Sequence, residues 1–193
     1  MSYRCLSKHK FIRGDFELSV IRKEHIMQIR QWRNEQMNLL RQKTKISKTE
    51  QLNYFEKNIW PTFEHNEPTQ ILFSFFKGGK LVGYGGLVHI SWEDLRAEVS
   101  FLVDTEIGMN PIIYPIFFAK YIELIKEIAF DNLAFNRLFT ETYDIRPLHI
   151  DVLEKNGFIF EGRMRQNNII DKQLVDSLIH GIIKIEYENS KKY

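Results

Sequence analysis

The sequence predicts an α/β (α+β) domain built on a mixed sheet, and two observations carry that prediction. Strand-like and helix-like periodicities follow one another in the order β-α-α-β-β-β-α-β-α-β-β, which sets a strand–helix–strand crossover beside a meander. The chain has 193 residues, 44% of them hydrophobic and 13% aromatic, enough to bury one core without disulfides or metal.

Phe16–Arg22 (FELSVIR) alternates and reads as the first strand. From Glu24 to Leu40 the apolar positions Ile26, Ile29, Trp32, Met37 and Leu40 recur at helical spacing. Ser47 followed by Glu50 is a capping-box pair, and it starts a second helix through Leu52, Phe55 and Ile59 that Pro61 is expected to stop. Residues 62–68 read as a polar loop. Gln70–Phe76 and Lys80–Ser91 are strands joined by the hairpin signal Gly78-Gly79. Gly83, Gly85 and Gly86 in the second of them signal a bulge or a close backbone approach.

Arg96–Asp104 is apolar almost throughout after Glu98, as a strand covered on both faces would be. Asn110-Pro111 is a helix start, Asn as cap and Pro at the first position. The helix it opens has Phe117, Tyr121, Leu124 and Ile128 on its dry face. Asn136–Tyr143 alternates as a strand. Pro147–Lys155 is a short helix ended by Asn156-Gly157. Phe158–Arg165 and Gln173–Ile185 form a last strand pair around a turn at Asn167–Lys172.

Composition narrows the function. The single cysteine, Cys5, excludes an internal disulfide framework and a cysteine-rich zinc site, and no His/Asp/Glu cluster has metal-ligand spacing. The longest apolar run, Ile112–Ala119, is far short of the roughly 20 residues that span a bilayer. The first residues lack the apolar core of a signal peptide, so a cytoplasmic protein is expected. The net charge of +2 hides an asymmetry: residues 1–60 hold 13 Lys and Arg against 6 Asp and Glu, residues 61–193 hold 14 against 19. A basic N-terminal third favours an anionic partner. Its charges alternate with acids along helices, and no nucleic-acid motif is present.

Leu153-Glu154-Lys155-Asn156-Gly157-Phe158, followed by Glu161-Gly162, resembles the helix-to-strand signature of the GNAT superfamily of N-acetyltransferases. The order of elements over about residues 16–187 is similar to that family too. Trp32-Arg33-Asn34 and Arg96-Ala97-Glu98 resemble the branch of ribosomal-protein N-terminal acetyltransferases and amino-sugar-nucleotide N-acetyltransferases. The resemblance implies a mostly antiparallel central sheet flanked by helices, with a V-shaped splay between the fourth and fifth strands. The domain would span 16–187, with an N-terminal extension at 1–15 and a C-terminal tail at 188–193.

Acetyl-CoA is the implied cosubstrate, with no metal. Its pantetheine arm would lie at the splay against Phe101, Leu102, Val103 and Thr140. The phosphate loop would be at Gly108, Met109 and Asn110. That loop departs from the family's Q/R-x-x-G-x-G/A pattern: one glycine remains, the basic first residue is absent, and Asp104 and Glu106 stand beside it. The helix start at Asn110-Pro111 would still offer N–H groups.

Acyl transfer to an amine needs a base for the amine and an acid for the thiolate. Glu98, at the mouth of the strand, is the candidate base. The position where many members carry an acidic tyrosine is Leu153, so His149, one turn earlier, is the candidate acid and Tyr143 the second. Arg33, Asn34, Lys43, Lys45 and Asp176 are the acceptor-side candidates, with Arg41 and Lys48 alongside the lysines. His180 lies on the face of Asp176, and His89 reads as a core histidine. The implied partners are a small-molecule amine, a nucleotide-linked amino sugar first, and a second copy of the chain in a homodimer. Neither nucleic acid nor membrane is expected. The alternatives are a protein N-terminal α-amine as acceptor, or a binding module that kept the fold without the chemistry.

Overall fold

The computed structural model describes residues 2–191. Eight strands form one sheet: β1 (Lys10–Arg13), β2 (Phe16–Val20), β3 (Ile71–Lys77), β4 (Lys80–Ser91), β5 (Arg96–Val103), β6 (Arg137–Tyr143), β7 (Ile159–Ile170) and β8 (Gln173–Ile183). Their spatial order is β1-β2-β3-β4-β5-β6-β8-β7. Only the β5–β6 pair is parallel, so the sheet is mixed and mostly antiparallel, as the sequence predicts. Among the described residues, six α-helices accompany it: α1 (Ile26–Glu35), α2 (Lys48–Tyr54), α3 (Thr105–Met109), α4 (Ile113–Lys126), α5 (Pro147–Lys155) and α6 (Lys184–Ser190).

The two faces of the sheet are told apart by alternation. Phe75 of β3 and Phe101 of β5 meet Phe117, Phe118 and Tyr121 of α4, with ring centroids 4.5–6.4 Å apart. Ser74, the next residue along, points the other way and meets His25, just ahead of α1. Tyr84 of β4 receives a hydrogen bond from Arg33 of α1 on that same side. Gly85 is where backbone and helix come closest: a Cβ there would lie 2.1 Å from the Ser100 carbonyl oxygen and 2.4 Å from the Tyr121 hydroxyl. The glycine lets Tyr121 reach through and donate to Ser100 O at 2.6 Å.

Several expected boundaries shift. Residues 2–15 pack on the sheet where an extension is expected: β1 pairs with β2 through a two-residue turn at Gly14-Asp15, and Tyr3 and Phe11 are buried. The hairpin covers what would otherwise be an open sheet edge at β2. Residues 24–40 break into α1 and a 3₁₀ turn at Met37–Leu39 rather than one helix. Pro61 does not stop the chain's coiling: it sits in the first turn of a 3₁₀ helix, Trp60–Glu64, where its missing N–H costs nothing, and Phe63 is buried there. The last turn is shorter than expected. Asp171 and Lys172, both at positive φ, close a two-residue hairpin, and β7 runs on to Ile170 with bulges at Phe160–Gly162 and Met164–Asn168. The chain from Lys184 is helical, so α6 enters the expected tail at 188–193; residues 192 and 193 lie outside the described residues.

The sheet opens between β5 and β6. Their ladder holds at Arg96–Arg137, Ala97–Leu138 and Glu98–Phe139 and then ends. Beyond it β5 continues along β4 to Val103, and β6 continues along β8 to Tyr143. The register of β4 shifts at Val88–Ser91, directly across from the last paired residues of β5, and such a bulge bends and twists a strand. The splay leaves a cleft whose walls are β5 and β6.

Candidate active site

Three cavities line up along β5. The central one, about 240 Å³, lies in the splay and is walled by Glu98, Phe101, Thr140, Tyr143 and His149, among others. A second, about 410 Å³, shares Arg33, Val88 and Ser100 with it and extends under α1 and α2. A third, about 210 Å³, shares Leu39, Phe101, Arg146 and His149 and extends past Val103 to Gly108. The shared walls make one groove running from the start of α4 through the splay to the N-terminal helices.

Glu98 holds the mouth of the splay. Its side chain is 9% exposed and is gripped by Arg41, Nη2 to Oε1 at 2.8 Å and Nη1 to Oε2 at 3.2 Å. His89 Nδ1 stands 2.6 Å from the same Oε2. Arg41 also reaches Glu141 Oε2 at 2.7 Å, and Asn167 donates to Glu141 Oε1 at 3.1 Å. Burial works against the Glu141 carboxylate, but hydrogen bonds from Ser177 and Arg41 outweigh it and hold its pKa below the usual range. The same carboxylates push the Arg41 pKa up despite burial. The group is a charge network with one member, His89, whose side chain is 64% exposed at the rim.

Tyr143 and Thr140 face the same cavity from β6. Neither hydroxyl has a hydrogen-bond partner, although both are buried. Orphaned buried hydroxyls are rare and mark a place where a ligand or water completes the bonding. Burial, opposed by Arg41, raises the Tyr143 pKa, so its phenol stays protonated.

At the far end the chain folds over itself. Asp104 Oδ1 accepts from the amides of Glu106 and Ile107 and so caps α3, while Oδ2 accepts from the Trp32 indole at 3.1 Å. Asn110 Oδ1 accepts from Ile112 and Ile113 at 3.0 and 3.1 Å in the turn that leads into α4. At the end of α1, Glu35 is bonded to the Thr105 hydroxyl, and Gln36, just past the helix, donates to Val103 O at 2.9 Å.

A family model described as an acetyltransferase (GNAT) domain matches residues 18–179. The chain belongs to the acetyltransferase (GNAT) domain family. Solved GNAT structures share the fold. Spermidine N-acetyltransferase from Vibrio cholerae, in complex with CoA and spermine, is 16% identical with a TM-score of 0.78, over 92% of this chain and 100% of that one. The dodecameric form of that enzyme in an intermediate state is 15% identical with a TM-score of 0.75, over 92% and 99%. No curated protein matches the sequence.

A GNAT acetyltransferase takes acetyl-CoA as cosubstrate, and this groove fits its parts unequally. The splay is a buried slot with two hydroxyls awaiting partners, which suits a thioester and its pantetheine arm. The phosphate end does not suit its ligand: the amides of Glu106, Ile107, Ile112 and Ile113 are already bonded to Asp104 and Asn110. Among the described residues, no group of three or more His, Cys, Asp and Glu could hold a metal ion, and no helix is long and apolar enough to cross a membrane.

The sequence-derived residues divide by position. Glu98, Tyr143, His149, Thr140, Phe101 and Arg33 line the central cavity, and Leu102, Val103 and Gly108 line the third. His149 is there without the expected chemistry. It stacks on Phe118 at 4.0 Å, its Nδ1 lies 2.5 Å from the Tyr114 hydroxyl, and burial drives its pKa well below 6.5. A neutral imidazole so held has no imidazolium proton to give. Met109 points to solvent, 76% exposed, and the Asn110 side chain is occupied by the Ile112 and Ile113 amides.

Asn34 braces the loop ahead of α2 through Ile46 and Gln42, so its amide is spent on structure. Asp176 is also outside the groove. It accepts from Arg163 and the Gln166 amide at 2.7 Å each and pins the bulge of β7. His180 is fully buried beside Glu154. Lys45 lines the second cavity, Lys43 and Lys48 do not, and Arg41 serves Glu98.

For His89 the sequence points to the core, and the structure places it elsewhere. It sits at φ +47 in the β4 bulge and is turned out to solvent rather than into the core. The glycines before it signal the bulge, but not which side chain the bulge would aim at Glu98.

Proposed function

We propose that the protein transfers the acetyl group of acetyl-CoA to the primary amine of a nucleotide-linked amino sugar. The second cavity carries this reading. It opens on the splay, is floored by Ile29, Phe55 and Leu72, has Tyr54 and Tyr84 as flat aromatic walls, and carries Arg33 and Lys45. Aromatic walls suit a nucleobase and two cations suit a diphosphate. A polyamine, with several positive charges, meets the less favourable sign there: Arg33 and Lys45 outnumber Glu50, the one acid lining the cavity.

Acetyl-CoA supplies the acetyl group as a thioester. The residues of the chain handle protons and position. Glu98, held by Arg41, accepts the proton of the amine at the mouth of the splay. The 2.6 Å contact passes it to His89, whose exposed ring exchanges it with water. Tyr143, protonated and unpartnered, donates to the departing sulfur. Asn34, Asp176 and His149 support the surrounding structure.

A substrate panel tests the reading, with CoA release as the signal. Nucleoside-diphosphate amino sugars should turn over at least about tenfold better in kcat/KM than spermidine or a peptide with a free α-amine. Preference for the peptide would move the function to the N-terminal α-amine class, and preference for spermidine to the polyamines. No release with any amine would make the chain a binding module.

A further inference from the structure

The groove has a built slot at its centre and, at the end where the nucleotide of CoA would lie, amides already bonded within the chain. We infer that this protein recognises its acyl donor by the thioester and pantetheine arm alone, without using the 3′-phospho-ADP portion. The donor class is then acyl-pantetheine thioesters, whatever the arm is attached to. The inference rests on the acetyl-transfer reading and adds donor specificity to it.

Four observations support it. Seven amides between Glu106 and Tyr114 that could meet a phosphate are spent within the chain. Glu106 and Ile107 donate to Asp104, Ile112 and Ile113 to Asn110. Gly108, Asn110 and Tyr114 donate to carbonyls of Asp104, Ile107 and Asn110, and Pro111 has no N–H. The carboxylate of Asp104 is also fixed from its other side by Trp32, so it does not swing away freely.

The charge has the wrong sign as well. Asp104, Glu106 and Glu35 surround α3, and the sequence has no Lys or Arg from Ala97 to Ala119. Arg146 is the only Lys or Arg lining the third cavity; it donates to the Tyr114 hydroxyl at 3.0 Å and also lines the splay, on the arm's side. Finally, the surface past Gly108 is apolar, with Met109, Ile112 and Ile116 at 76%, 78% and 53% exposure. Phosphates gain nothing from such a surface.

Calorimetry on the intact protein decides the matter without turnover. Acetyl-CoA and S-acetylpantetheine should bind with dissociation constants within about threefold of each other, where a used phosphate site would separate them tenfold or more. Acetyl-CoA affinity should be nearly flat between about 50 and 500 mM salt, since no phosphate ion pair is there to be screened. Adenosine 3′,5′-bisphosphate should not compete.

Tighter binding of acetyl-CoA by tenfold or more, or competition by the bisphosphate, overturns the inference and leaves the acetyltransferase reading in place. If neither thioester binds at millimolar concentration, the acetyltransferase reading fails and takes the inference with it. Asp104→Ala should free two amides and improve acetyl-CoA binding several-fold with S-acetylpantetheine unchanged. Should that variant not fold, Asp104→Asn keeps the cap acceptor and removes the charge, and it should shift the same ratio in the same direction. An unchanged ratio in a folded variant counts against the inference.

Discussion

β5 has a carboxylate near each end, and the two are used in opposite ways. Glu98, two residues past the strand's start, is bonded to side chains, Arg41 and His89, and stands at an open slot. Asp104, just past its last residue, is bonded to the chain's own amides and to Trp32, and closes the surface around it. A side-chain network can be reorganised by a substrate at little cost to the fold. A helix cap is part of the fold, worth about 1 kcal/mol to the element it starts. The difference teaches that one strand can be built for chemistry at one end and for stability at the other.

The largest effect that tests this contrast is on stability. Phe118 stacks on Phe101 at 4.7 Å and on His149 at 4.0 Å, so it supports the wall of the slot. Phe118→Ala should cost about 3–5 kcal/mol in chemical denaturation. A loss under about 1 kcal/mol would mean that the wall is not packed as described.

The next effect belongs to the proton path. Glu98→Gln and Tyr143→Phe should each lower kcat by about 10²-fold with acetyl-CoA affinity nearly constant. His89→Gln, which keeps a hydrogen-bond donor beside Glu98, should lower kcat less and weaken its response to buffer concentration. Retention of more than about a third of wild-type kcat in both Glu98→Gln and Tyr143→Phe would remove the network from catalysis.

A pH measurement isolates His149. In the unfolded chain its imidazole takes up a proton below its ordinary value of 6.5, whereas burial in the folded protein keeps it neutral. The unfolded state therefore binds more protons as pH falls, and stability declines from pH 7.5 toward 5.5. One such group contributes a slope of up to about 1.4 kcal/mol per pH unit. His25, whose pKa burial also lowers, adds in the same direction. His149→Phe should flatten the dependence by its share, and an unaltered slope would show that the ring protonates freely in the folded state.

The smallest effect separates two neighbouring lysines. Lys45 lines the acceptor cavity and Lys43 does not. Lys45→Glu should raise the acceptor KM several-fold, about 1 kcal/mol, and Lys43→Glu should leave it within error. Equal effects would point to a diffuse field rather than a contact.

Much of this architecture is legible in the residues. Ser47 and Glu50 form both halves of the expected capping box, β4 has the expected bounds, and Gly78 and Gly79 take the positive φ that their turn demands. These are local effects, decided by neighbours in sequence. The strand β1 is not legible, because Lys10–Arg13 is four residues with one buried side chain and gains its place only by covering β2. α3 escapes for a related reason: Thr105–Met109 is too short for periodicity and exists because Asp104 caps it.

Strand position points to Glu98 and Tyr143, and both line the central cavity. The burial of His149 and its Tyr114 contact are not legible in the sequence, because they come from α4, remote in the chain. The outward turn of His89 is not legible either, because alternation along β4 fails at the bulge. Asn34 and Asp176 show the same limit: whether a polar side chain meets a ligand or a backbone depends on where a distant loop passes.

The indole of Trp32, 2% exposed and bonded to Asp104, has a consequence for optical work. Indole emission responds to charge and hydrogen bonding at its nitrogen, so this ring is an intrinsic fluorophore wired to the loop after β5. A ligand that occupies only the splay should leave its spectrum alone, while one that displaces the Asp104 carboxylate should change it. With Trp60 and Trp92 replaced by phenylalanine, one emission band would show, without label or turnover, whether that loop ever opens.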